Sequence, residues 1–251
     1  MPHQMINLHN LPNKIKPNIP IMTVHHFDPI ELNNIAVQHL EHSNTSVACK
    51  ILATVVKLLL NTPMNYCPEN KFSNSIRFQW SKVAYDIKTP NRNELPGNTF
   101  MFSRAMIVHD CCTTRQMTFQ ELCSDAKAAI VYNAGLAFHL AAMENNDSTF
   151  LPKARTTYIL SQTILRKASE NGITSTLCFD YDFHVILLNN LGQTSYELVD
   201  YDASSYYFDQ LLLNLNHMAS QPTSKKSFEN SDMVGMASNV IIDPPNAAPC
   251  A

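Results

Sequence analysis

The chain has 251 residues, of which 45% are apolar and 16% charged, with a formal net charge of −3. That length supports a sizeable core, and the lack of a basic excess argues against nucleic acid as a partner. The 5 glycines stand apart from one another, so neither a P-loop nor a dinucleotide fingerprint can be drawn, and no cofactor is expected.

The 7 cysteines are odd in number and lack framework spacing. With no charged-then-apolar leader pattern at the start, they predict free thiols in a reducing setting, cytoplasmic or nuclear. No apolar run reaches the roughly 18 residues of a membrane span, so no membrane partner is expected. The sequons at Asn44 and Asn146 read as chance.

Residues 1–27 are rich in Pro, Asn and His and predict a disordered arm. Asp28 as a cap, Pro29 at the first helical position and Glu31 in the first turn predict a helix to about His42. A second helix, "VACKILATVVKLLL", stops near Pro63. Residues 64–116 read as an insertion. Within it, 76–87 and 99–109 alternate as strands do, with Ile76, Phe78 and Trp80 on one side, and predict a small β-hairpin around a Pro/Gly/Asn loop.

Thr118 and Glu121 have capping-box spacing and predict a helix start, followed by a long run through "AKAAIVYNAGLAFHLAAM". The next helix carries Pro152 in its first turn and ends before Gly172, a candidate C′ residue. Helices from about Phe183 to Val199 and over "ASSYYFDQLLLNLNHMA" complete a helical domain spanning 28–219. Residues 220–251 read as a flexible tail whose apolar segment, 233–242, is suited to docking back on the body.

An internal repeat organises these helices. "LNNIAVQHL", "VYNAGLAFHL" and "LLNNLGQTSYEL" align on Asn34, Asn133 and Asn190, each followed two residues later by a small residue: Ala36, Gly135 and Gly192. A second small residue follows in each copy: Ala48, Ala154 and Ser204, with Ala203 an alternative in the last. Four residues beyond stand Leu52, Tyr158 and Phe208. Gly costs roughly 1 kcal/mol against Ala in a helix interior. Small residues on facing helices instead allow two antiparallel rods to approach closely.

"NNLGQTSYEL…DYDASSYYFDQLL" resembles a tetratricopeptide repeat (TPR), most closely over 187–213 and more weakly over 30–57 and 129–164. The family unit is about 34 residues, whereas Gly135 and Gly192 are 57 apart and Ala36 and Gly135 are 99 apart, which implies long insertions. The resemblance implies a mainly α fold of stacked antiparallel helix pairs, a TPR-like solenoid of about three units. It implies a protein-interaction scaffold that binds a peptide or partner helix on its concave face, through Asn33, Asn34, Tyr132, Asn133, Asn189, Asn190 and Gln193. An amide both donates and accepts, so it can read a bound backbone without charge. A carboxylate clamp is not expected, because the helix from Phe183 to Val199 has neither Lys nor Arg.

Plainer readings stand beside these. The repeated asparagines could bond neighbouring turns within the stack. His109, Cys111, Cys112 and Cys123 lack paired zinc spacing, and His39 with His42 lacks a third ligand, so no metal is expected. His139 and His184 read as core or groove residues. No G-x-S-x-G elbow is present, and no enzymatic activity is expected. Two alternatives to the scaffold remain: a self-regulated repeat protein whose C-terminal segment docks on its own groove, and an unrecognised enzyme.

Overall fold

A computed structural model describes residues 28–62, 76–81, 101–110, 118–171, 180–220 and 230–240. The expectations for the N-terminal arm, the hairpin loop, Cys111, Cys112 and Gly172 lie outside the described residues.

The chain is mainly helical among the described residues. Its helices are α1 (Pro29–Glu41), α2 (Thr45–Asn61), α3 (Ser124–Asn145), α4 (Leu151–Glu170), α5 (Asp180–Glu197), α6 (Tyr201–Ser220) and α7 (Asn230–Val240). Strands β1 (Ile76–Trp80) and β2 (Met106–Asp110) form a two-stranded antiparallel sheet that pairs Ile76 with Asp110 and Trp80 with Met106. Helices pack chiefly on their chain neighbours, from α1 on α2 through α6 on α7.

Capping sets the helix ends. Asp28 accepts from the Ile30 amide at 2.8 Å and Pro29 opens α1, as its sequence predicts. Thr118 and Glu121 behave differently. Only one of the two capping-box bonds forms: the Thr118 amide donates to Glu121 Oε2 at 2.9 Å, but the Thr118 hydroxyl donates to that same oxygen, and the Glu121 amide turns to the Thr118 carbonyl at 3.0 Å. They close only a turn, and α3 starts at Ser124 behind Cys123, whose sulfur accepts from the Ala126 amide.

The three pairs α1–α2, α3–α4 and α5–α6 turn alike. Each first helix ends on a left-handed residue, with φ of 59° at Ser43, 49° at Asn146 and 61° at Val199. The following amide reaches back five residues in every case: Asn44 to His39 at 2.8 Å, Asp147 to Ala142 at 3.0 Å and Asp200 to Ser195 at 2.9 Å. This is a Schellman ending. The shared turn puts the two helices of each pair side by side and reversed.

The repeated small residues mark where those helices touch. A Cβ on Gly135 would stand 2.6 Å from Tyr158 Cδ1, and one on Gly192 would stand 2.4 Å from Phe208 Cε1. The large residue thus lies directly over the glycine rather than beside it. Ala48, Ala154 and Ser204 are all buried, and the Ser204 hydroxyl donates to the Gly192 carbonyl at 2.9 Å. That bond selects Ser204 over Ala203 as the third small residue. Helix α3 is central: 15 of its 22 residues are buried, far more than one amphipathic stripe supplies.

Two substitutions test this packing by thermal or denaturant melts. Gly192→Ala is expected to destabilise the chain by about 1–3 kcal/mol through overpacking, with partial recovery when Phe208→Leu is added. Val199 is β-branched, left-handed and exposed, so Val199→Gly is expected to stabilise by about 1 kcal/mol.

Candidate functional site

Residues 101–110 cross the first helices of all three pairs, and the asparagines hold them there. An extended chain turns the N–H and C=O of alternate residues to opposite edges. On one edge, Ala105 meets the sheet side: its carbonyl accepts from the Ser81 amide at 2.8 Å and its amide donates to Ser81 Oγ at 3.1 Å.

The other edge has no strand beside it among the described residues. Side-chain amides take that place. The Val108 amide donates to Asn34 Oδ1 at 3.0 Å and its carbonyl accepts from Asn34 Nδ2 at 2.7 Å. Asn133 treats Met106 the same way, at 2.8 and 2.7 Å. Asn190 does so for Phe102, at 3.0 Å in both directions. A primary amide presents one donor and one acceptor side by side, which matches the N–H and C=O of one extended residue. The segment therefore runs opposite to the repeat order, with its start on α5 and its end on α1.

The rungs are uneven. Val108 and Met106 are two residues apart and Met106 and Phe102 four, or about 7 and 13 Å of extended chain. Tyr132 fills the longer interval by donating to the Arg104 carbonyl at 3.0 Å. Around it, Trp80 meets Phe102 edge-on at 5.1 Å between ring centroids, and Tyr132 meets Phe183 at 5.3 Å. These rings occupy the space between α3 and α5. Burial, with Tyr158 adding to it, holds the Tyr132 hydroxyl well above the usual phenol range, so it stays a donor.

The residues beside the rungs join the same network. Asn33 donates to the Met106 carbonyl at 3.1 Å, and its own oxygen accepts from Asn133 at 2.8 Å. Asn189 donates to Asn190 at 3.1 Å and accepts from Asn239 of α7 at 2.7 Å. Gln193 lies apart, donating to Glu197 at 3.0 Å rather than to the segment. Helix α7 packs on α5 and α6 with Met236 fully buried, and Asp232 reaches Arg104 of the extended segment at 3.2 Å. The sequence offered a signal for the extended segment in its alternation, but none linking it to the asparagines. It gave no sign of Ser81, Arg104, Asp232 or Asn239.

A second polar group joins α3 to α5. Fully buried His139 stands 3.1 Å from Glu197 Oε2. Burial pushes the Glu197 carboxyl upward. The hydrogen bond and charge of His139, with the Gln193 bond, outweigh that and bring it below its ordinary 4.5. Among the described residues, no three His, Cys, Asp or Glu side chains cluster to hold a metal ion. His109 faces Gln79 at 3.3 Å. Burial pushes the Cys49 thiol up to about 12 and that of Cys123 to about 11, so neither is a thiolate at neutral pH. No described helix is long and apolar enough to cross a membrane.

No protein-family model matches the chain, and neither a curated protein nor a solved structure matches it significantly.

Asn133→Ala leaves the Met106 amide buried without its partner and strips one partner from its carbonyl. It is expected to destabilise by roughly 2–4 kcal/mol. Asn133→Asp recovers only the acceptor half and sets a carboxylate against two oxygens, so it is expected to melt no higher than the alanine variant. A depressed carboxyl contributes stability that is present above its unfolded pKa and lost as pH falls through its folded one. Glu197→Gln is therefore expected to be less stable than the parent at neutral pH, with the gap closing below pH 4.5 in denaturant titrations.

Proposed function

We propose that the chain is a protein-interaction scaffold: a TPR-like array of about three helix pairs whose asparagines bind an extended segment through its backbone. The observation that carries this is the ladder of three two-way amide bonds on Phe102, Met106 and Val108. Amide rungs satisfy any extended backbone, so they suit a site that takes chain segments rather than small molecules. The chain's own residues 101–110 occupy the lane, and a partner segment reaches it by exchange.

A second reading has its own observation. The bonds from α7 to Arg104 and Asn189 tie the C-terminal helix to both the occupant and the ladder. On this reading α7 sets how readily the occupant leaves, which makes the protein self-regulated.

Native-state hydrogen exchange tests both readings. Exchange through local opening reports the free energy of releasing a segment without global unfolding. The amides of Phe102, Met106 and Val108 are expected to exchange at least tenfold faster than those of α3. Removal of residues after Gln221 is expected to speed them further. Equal protection of the segment and α3 would mean that the segment leaves only when the whole fold opens, and the scaffold reading would fail.

A further inference from the structure

The first helix pair is apolar on both of its sides. Two residues along an α-helix turn the side chain by about 200°, nearly to the opposite side. In α2 the side toward α3 carries Thr45, whose hydroxyl bonds Glu144 of α3, together with Cys49 and Val56, which lie in or against the core. Two residues beyond each stand Val47, Ile51 and Leu58. In α1 the inward side carries Ile30, Asn33 and Val37, all buried, with Asn33 bonded to Asn133 of α3. Two residues beyond these stand Leu32, Ile35 and His39. The two outward stripes are therefore apolar except at His39.

A helix apolar on both sides calls for cover on both, and the terminal unit of a stack otherwise turns a polar face to water. At the far end α7 supplies that cover: it packs on α5 and α6 and buries Met236. At the near end the principal neighbours among the described residues are α3 and β2, both on the inward side. Ile35 and Val47 stay 37% and 39% exposed.

We propose that the chain's own residues 15–27 cover this face and close the near end of the stack. The 27 residues before Asp28 lead directly into α1, so the segment begins at the edge of the face. It carries Ile15, Ile19, Ile21, Met22 and Val24. Ten residues of extended chain span about 33 Å, more than the roughly 26 Å length of α2. The size of the face also selects the occupant. Helix α1 is about 20 Å long and two helices side by side are about 20 Å across. That is roughly 400 Å², about half of what each partner gives to a stable interface. A separate protein or a second copy would lack area there. A segment tethered at Asp28 needs less, because its effective concentration is on the order of millimolar.

The test uses the full chain carrying a benzophenone amino acid in place of Met22. On irradiation, the cross-link mapped by mass spectrometry is expected within one chain, on the outward stripes of α1 and α2. A cross-link between two chains makes a second copy the occupant and overturns the assignment. A cross-link elsewhere in the chain, or none, overturns it as well. A double-mutant cycle reads the same contact independently. Ile21→Asp/Val24→Asp is expected to lower the thermal midpoint by at least about 4 °C in the parent, and by under about 1 °C when Ile35→Asp/Val47→Asp is already present. Equal shifts in the two backgrounds overturn the assignment. Where the chain with the substituted face does not fold, the position of the cross-link decides. Neither measurement involves the amide ladder, so either outcome leaves the scaffold reading to its own test.

Discussion

An extended chain buried on both edges must find a partner for every N–H and C=O it carries, and at this molecule's centre that requirement is met by side chains. β1 and Ser81 serve one edge of residues 105–110. Asn34, Asn133 and Asn190 serve the other. Everything else in the described fold is arranged to bring those three amides into one line. They sit on α1, α3 and α5, and each helix is placed by its own reversed neighbour. The glycine contacts with Tyr158 and Phe208 fix how close those neighbours come. A shift of any pair would pull one rung off its backbone partner and leave buried polar groups unmatched, at a cost of roughly 1–3 kcal/mol each.

The helical architecture is readable from local chemistry. Asp28 and Pro29 announce α1, and the alternation around Phe78 announces a strand. The asparagine followed two residues later by a small residue announces where helices meet, since that short-range pattern recurs in α1, α3 and α5. The apolar island around Met236 likewise foretells a segment that returns to the body. Where local signals mislead, the cause is equally local. Thr118 and Glu121 meet as their spacing implies, yet only half of the capping box forms, and it closes a turn rather than a helix.

What fills the lane is not readable, and the reason lies in the contact itself. Asn34 is 74 residues from Val108, and Asn190 is 88 from Phe102. An amide that bonds backbone leaves no complementary side chain to be matched in the sequence. Any extended segment would satisfy it, so the pairing is decided by which strand the fold delivers. Gln193 shows the converse. It belongs to the same helix face by spacing, but Glu197 lies one turn away and captures it. The Arg104–Asp232 contact was hidden for a further reason: α7 reaches it only after docking on α5 and α6.

The uneven rungs give residues 102–108 a mechanical role. This segment is lashed to three separate helices, α1, α3 and α5, at Val108, Met106 and Phe102. It works as a tie rod. The first helices of the pairs can stand no farther apart than two or four residues of backbone can span. Loosen one lashing and the spacing of the helices, not merely the local bond, is set free.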